Sequence, residues 1–250
     1  MADLEPAPPA IVLVGAQMGE NIGAAARVMA NFGLADLRLV APRDGWPNAK
    51  AASMAAGALR VAVRVSVFAD SASAISGLSQ VLAVSARKRD MQKPVLGPRE
   101  GCAAVRANAM TGTAAGLMFG PEASGLSNAD VSLCDGLVTL PVTASFSSLN
   151  LAQAVAVLAY EWGASAHNAP APPSALEPPA SKAAQLGLFA HLEQALERAG
   201  FFFPPEKKPL MVQNIRNALT RAQLTEQEVR TFRGIVRALE HGRGAQGKCQ

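Results

Sequence analysis

The chain has 250 residues, half of them hydrophobic and 17% charged, with a net charge of +4. That apolar share supports a folded core and excludes global disorder, and no uninterrupted run reaches the ~20 apolar residues of a membrane helix. The charge is uneven: residues 1–180 hold twelve Lys/Arg against thirteen Asp/Glu, residues 181–250 eleven against six, and a basic end on a neutral body points to a polyanion partner.

The first ten residues, MADLEPAPPA, are acidic and proline-rich and lack the basic-then-apolar pattern of a secretory leader. Ile11–Val14 reads as a short strand, followed by a Gly/Asn turn and a helix over Ala24–Phe32. Leu37–Val40 is the next strand and Ala51–Ala56 a helix. Val61–Phe68 alternates apolar and polar residues and predicts a strand. Ala72–Leu78 predicts a short helix, Val81–Val84 a strand, residues 99–109 a helix, and Ala115–Phe119 and Leu137–Leu140 strands. Leu149–Trp162 is a long apolar helix. Short, fully apolar strands alternating with helices predict an α/β fold: a mostly parallel sheet with helices on both faces. Ligands of such folds sit at the carboxyl ends of the strands.

Residues 169–180, APAPPSALEPPA, cannot be helix interior or central strand and act as a semi-stiff spacer. The expected organisation is a body at 1–168, this linker, and a helical, basic extension at 181–250. In the extension, Leu188, Leu192 and Leu196 recur every four residues ahead of a Gly200 cap. Thr225 and Glu228 have the spacing of a capping box. Val229, Phe232, Val236 and Leu239 read as one apolar stripe, beside a second stripe of Arg230, Arg233 and Arg237.

Four segments could carry chemistry. In IVLVGAQMGENIGAAARVMANFG the glycines at 15, 19 and 23 are spaced by four, so neither the dinucleotide GxGxxG nor a P-loop is present, and Asn21 and Arg27 stand out in an Ala-rich helix. In LMFGPEASGLSNAD, Gly120 and Gly125 bracket Glu122, which lets backbone approach a ligand closely. In LPVTASFSSLNLAQAV, Ser147, Ser148 and Asn150 precede a helix, where they either cap it or face a ligand. In VSARKRD, Arg87 and Arg89 follow a strand, as a phosphate site or an ordinary exposed loop.

Other chemistries are excluded. The histidines, His167, His191 and His241, lie at or beyond the end of the body, so no Ser-His-Asp triad forms within it. The three cysteines are scattered without a CxxC pair, and no metal-ligand spacing occurs, so no metal is expected. Free cysteines suit a reducing cytoplasm. What remains is a glycine-lined pocket, hydroxyls, a carboxylate and arginines, an inventory suited to group transfer from a preactivated donor.

Together, ENIGAAAR, FGPEASGLS and LPVTASFSSLNLAQAVAVLAYE, in that order, resemble the three motifs of SpoU-type RNA 2′-O-methyltransferases of the SPOUT superfamily. SARKR, SSLNLAQAV, AYEW, NIRNALTRAQL and FRGI resemble the TrmJ type, which methylates cytidine or uridine in the tRNA anticodon loop. The likeness runs from Ile11 to about Leu239. It departs at Val84, where the family commonly has threonine, and in the proline-rich spacer. The resemblance implies a trefoil-knotted fold, a homodimer, and S-adenosyl-L-methionine as cofactor. It places the cofactor at Val84, Ser85, Ala86, Gly120, Glu122, Gly125, Leu140, Ser147, Ser148 and Leu149. Arg27, Asn21, Ser148 and Asn150 are the implied catalytic set, with tRNA, at nucleotide 32, held by Arg87, Arg89, Arg230, Arg233 and Arg237. Rival readings are the same chemistry at another tRNA position or on rRNA, a non-catalytic RNA-binding relative, and an α/β oxidoreductase, which the missing GxGxxG opposes.

Overall fold

The computed structural model describes residues 6–86, 92–143, 145, 148–165 and 177–241. Seven short strands build one sheet: β1 (Ala10–Val14), β2 (Asp36–Val40), β3 (Arg64–Phe68), β4 (Gln80–Val84), β5 (Val95–Leu96), β6 (Ala115–Phe119) and β7 (Gly136–Val138). Every pairing between them is parallel, in the order β3-β2-β1-β6-β4-β7-β5. Parallel pairing forces each connection to cross a face, so both faces are covered. Ile11, Leu13, Leu37, Leu39, Leu82 and Leu117 pack on one side, and Val12, Val40, Val81, Ala83 and Met118 on the other. This is the two-residue alternation of a strand.

The first side is covered by α1 (Gly19–Asn31), α5 (Pro98–Ala109) and α7 (Leu151–Ser165), with α7 packed against both others, while α2 (Ala49–Met54) and α3 (Ala58–Val61) lie against α1. The second side carries α4 (Ser71–Ile75) and α6 (Asn128–Ser132). Small residues set the close approach of α1 to α2: a Cβ on Gly23 would strike the Ala51 carbonyl oxygen, and one on Gly19 the Asn48 side chain. That same Asn48 caps α2. The strand order reverses between β1 and β6, so the loops leaving those two strands diverge and open a crevice at their carboxyl ends.

The expected α/β architecture is present, with local differences. The alternating stretch Val61–Phe68 forms a strand only from Arg64. Ala58–Val61 is a helical turn entered through Gly57 at φ +89°, and Val61 is exposed. β5 has two residues and α6 five, too short for a periodic signal. A Ser127–Asp130 capping box holds α6. Helix α7 starts at Leu151 and ends at Ser165, where the buried Arg106 guanidinium donates to Ser165 Oγ at 2.7 Å and stacks 3.9 Å from the Trp162 ring centre.

The extension is α8 (Lys182–Arg198), a 3-10 turn at Pro205–Lys207, α9 (Lys208–Arg221) and α10 (Glu226–Glu240). Gly200, at φ +71°, ends α8 with the paired bonds of a Schellman motif, Gly200 N to Glu197 O and Phe201 N to Leu196 O, both 3.0 Å. Thr225 and Glu228 form the capping box of α10. Pro179 and Ala180, at the end of the proline-rich stretch, bridge to Thr225 and Leu224. The expected apolar stripe of α10 divides: Val229 and Val236 are buried, while Phe232 and Leu239 are exposed. At 100° per residue, Phe232, Ile235 and Leu239 lie to one side of that buried line, and Arg230 and Arg237 to the other.

Gly23→Ala should cost about 1–3 kcal/mol in denaturant unfolding, because the added methyl meets backbone that cannot rotate away. The same change at Gly33, which has open space around it but a φ of +72°, should act through backbone strain alone and cost about 1 kcal/mol.

Candidate active site

Three loops leave the carboxyl ends of β1, its neighbour β6, and β7, which β4 separates from β6. One follows β1 (residues 15–18), one follows β6 (120–126), and one leads from β7 to α7. The first begins at Gly15, φ +56°, whose amide donates to Val40 O at 2.8 Å. The second doubles back on itself: a Cβ on Gly120 would overlap the backbone of Gly125 and Leu126, and Gly125 N donates to Pro121 O at 2.8 Å.

A chain of hydrogen bonds ties the loops together. Glu122 accepts from the Gln17 amide at 2.9 Å and from Asn21 Nδ2 at 2.6 Å. Asn21 Oδ1 accepts from Asn150 Nδ2 at 2.9 Å, and Asn150 Oδ1 accepts from the Ala152 amide at 2.9 Å, within the first turn of α7. Each amide group thus uses both ends, and residues more than 100 positions apart become neighbours. Burial of Glu122 opposes its ionisation, but the bonds from Asn21 and from the backbone amides outweigh it and hold the carboxyl below the usual range.

Beside this chain lies a cavity of about 270 Å³. Of the residues expected to hold a cofactor, Val84, Ser85, Ala86, Gly120, Glu122, Gly125, Leu140, Ser148 and Leu149 line it. Ser147, Arg87 and Arg89 lie outside the described residues. The sequence had not singled out Phe119, Pro121, Ala123, Ser124, Val142, Leu151 and Ala154, which complete the lining. The hydrophobic run of LMF and the start of the apolar helix were the available signal for Phe119, Leu151 and Ala154. Among the described residues, the lining contains one carboxylate and no Lys, Arg or His. Apolar walls, exposed strand-end backbone and the Glu122 carboxylate suit a flat heterocycle joined to a positively charged group.

Asn21, Glu122 and Asn150 are therefore brought together, and Ser148 stands exposed at the rim. Arg27 is not in this cluster. Six residues after Asn21 on α1, it projects about 120° from Asn21 and about 9 Å further along the axis, and it is exposed. Arg230, Arg233 and Arg237 are exposed on α10. Among the described residues, no group of three or more His, Cys, Asp or Glu side chains could hold a metal, and no helix is long and apolar enough to cross a membrane.

Residues 8–160 match the family model described as the SpoU rRNA methylase family, and residues 184–249 match the model for the C-terminal domain of the tRNA methyltransferase TrmJ. The chain is 36% identical over 238 residues to the tRNA (cytidine/uridine-2′-O-)-methyltransferase TrmJ of Cronobacter sakazakii, covering 93% of this chain and 96% of that one. It is 35% identical over 236 residues to the tRNA (cytidine/uridine/adenosine-2′-O-)-methyltransferase TrmJ of Pseudomonas aeruginosa, covering 90% and 91%. The crystal structure of TrmJ from Z. mobilis ZM4 superposes with a TM-score of 0.82 at 43% identity, covering 93% of this chain and 99% of that one.

The hydrogen-bond chain has a signed pH consequence. Because the Glu122 carboxyl is held below its ordinary value, its contribution to stability is complete above about pH 4.5 and fades as pH falls through the lowered value. Asn21→Asp replaces the donor facing Glu122 with a second carboxylate, so one of the two must hold a proton above its ordinary pKa. The variant should melt well below the parent at pH 8, by about 2–4 °C for each kcal/mol lost, and the gap should narrow by pH 5. Calorimetry across that range measures it.

Proposed function

The chain belongs to the SpoU methylase family, and we propose that it transfers a methyl group from S-adenosyl-L-methionine to a ribose 2′-hydroxyl of tRNA, on cytidine or uridine at nucleotide 32 of the anticodon loop. The observation that carries this reading is the convergence of three loops, locked by Glu122, Asn21 and Asn150, beside a largely apolar cavity with one carboxylate among its described lining residues. Bound there, S-adenosyl-L-methionine supplies a methyl group on a positively charged sulfur that leaves as a neutral thioether. The apolar side chains of Leu140, Val142 and Leu149 suit the adenine, and the turn at Gly120 lets backbone approach it.

The chain's own residues then divide the work. Asn21 and Asn150 are positioning residues, since both ends of each amide hold loops together. Ser148, an exposed residue of the lining, would accept the hydrogen bond of the ribose hydroxyl and, as it takes that proton, release its own to water. Arg27 serves as an electrostatic group. A guanidinium stays protonated, so it binds the phosphate beside the target ribose through two parallel hydrogen bonds and stabilises the charge developing on the 2′-oxygen.

Arg27 is outside the cavity of its own chain, which supports a homodimer in which α1 and α7 face a second copy. Val157 and Tyr160 form an exposed apolar stripe on α7, with Tyr160 edge-on to Phe32 of the α1–β2 turn at 6.3 Å. The trefoil thread implied by the resemblance belongs to the same reading, as does a cytoplasmic location alongside tRNA. The basic face of α10 would hold the RNA away from the reacting atoms. An rRNA target is favoured only by the description of the body's family model, whereas the match over residues 184–249 favours tRNA.

Mass mapping of 2′-O-methylribose in RNA treated with the purified protein tests the substrate, and a product on another nucleotide or only on rRNA would overturn this assignment. Arg27→Ala should lower methyl transfer by roughly 10²–10³-fold while calorimetry shows unchanged cofactor affinity. Arg27→Lys should fail comparably, because an ammonium cannot form the paired bonds. Replacing Arg230, Arg233 and Arg237 together by Ala should weaken tRNA binding and reduce the slope of log affinity against log salt by roughly 2–3.

A further inference from the structure

The extension meets the body through a buried ion pair. Lys182, the first residue of α8, is 2% exposed; its ammonium lies 2.6 Å from Asp135 Oδ1 and 3.0 Å from Gln185 Oε1. The other Asp135 oxygen accepts the Val81 amide at 2.6 Å, in the second residue of β4. Two main-chain bonds flank the pair, Lys182 N to Leu78 O at 2.6 Å and Ala183 N to Ser76 O at 2.7 Å. A side-chain bond from α9, Arg221 Nη1 to Gln92 Oε1 at 3.0 Å, adds a second point of attachment.

Such a seat differs from a loose tether. Withdrawing an ammonium and a carboxylate from water costs several kcal/mol for each ion, recovered only while the two remain in contact. An apolar contact tolerates sliding, but a one-residue shift here would leave two buried charges unpaired. The pair therefore specifies a single register. It also lies at the wrong end of the sheet to touch substrate. Asp135 precedes β7 and Val81 is the second residue of β4, whereas the cavity is lined from Val84 and beyond Val138. The length of β4 puts roughly 10–15 Å between the seat and the cavity.

We propose that Lys182 and Asp135 are a positioning pair for the methylation reaction: by fixing the extension at one register on the body, they set the distance between the RNA-holding face and the cleft, and so select which nucleotide is methylated. This rests on the reading that the extension holds RNA. A rigid connection that matches the span between two contact sites gives the highest effective concentration of target in the cleft, and a released one spreads it over neighbouring nucleotides.

The test uses Lys182→Met in the full chain, with four readouts. Hydrogen exchange over residues 180–190 should rise, because the amides of Lys182 and Ala183 lose their acceptors on the body. Calorimetry should give cofactor affinity within about 2-fold of the parent, kcat/KM on tRNA should fall about 10–100-fold, and mass mapping should find methyl groups on adjacent riboses. Should that variant not fold, Asp135→Asn keeps an acceptor for the Val81 amide and removes only the charge. The double variant D135N/K182M removes both charges of the pair but leaves the buried Lys93 ammonium, held on the Ser132 and Cys134 carbonyls, without the nearby Asp135 carboxylate, so protection and site selection should recover together but only in part relative to Lys182→Met. Raised exchange with parent-like kcat/KM at the same single nucleotide would overturn the proposal, as would fast exchange of these amides in the parent. If the triple α10 arginine variant binds tRNA like the parent, the RNA-holding reading itself fails, a result that leaves the exchange data untouched.

Discussion

The arrangement of the loops depends on a hydrogen-bond chain running from Glu122 through Asn21 to Asn150 and into the first turn of α7. Loops are the part of an α/β fold with the least packing to hold them, yet a transfer reaction needs them fixed to within a fraction of an ångström. Here an ionised carboxylate accepts two bonds, and two carboxamides pass the constraint onward, donor to acceptor, without leaving a polar end unused. An amide suits this place better than an acid, since it donates to Glu122 and accepts from Asn150 at once. The glycines act with it. Gly120 lets the β6 loop fold onto itself, and Gly15 turns the β1 loop toward Val40, so the chain closes over distances that bulkier residues would hold open.

The parallel sheet gives this arrangement its polarity. All seven strands point the same way, so one end of the sheet gathers the loops that form the cleft and the other gathers the turns that precede the strands. The cleft occupies the first end, and the extension sits against the second, on Ser76, Leu78 and Asp135. In the proposed reading, holding RNA and transferring a methyl group are thus kept apart by the length of the strands. A rigid joint between them matters for this reason: error in the joint's angle is magnified over the distance to the cleft.

The sequence made the sheet legible because buried parallel strands are short apolar runs, and Ile11–Val14, Val81–Val84 and Ala115–Phe119 stand between polar turns. It made the cleft legible through the residue types in its three motifs, most of which line one cavity. What it concealed has physical reasons. β5 and α6 are too short for periodicity to register. The Val61–Phe68 alternation extends beyond the strand because Gly57 starts a helical turn that propensity alone does not foresee. Lys182 reads as one more cation of a basic tail, and only its partner, 47 positions earlier, reveals it as buried. The α10 stripe divides because four apolar residues at helical spacing span a wider arc than the single neighbour, α8, can cover.

The position of Arg27 outside the cavity has an electrostatic logic. A guanidinium placed among the lining residues would face the cationic group that the cavity suits, and two like charges 4 Å apart repel by about 4 kcal/mol at an effective dielectric near 20. Among its described lining residues the cavity instead contains one carboxylate and no Lys, Arg or His. Arg27 is carried on the exposed face of α1, and in the proposed reading its field acts only where a phosphate neutralises it, at the mouth of a cleft completed by RNA and by a second chain. Methyl donor and guanidinium can then act on the same oxygen from different sides without sharing a pocket. The exposure of a reactive arginine, which in isolation argues for an idle surface residue, is on this account what lets the donor bind first.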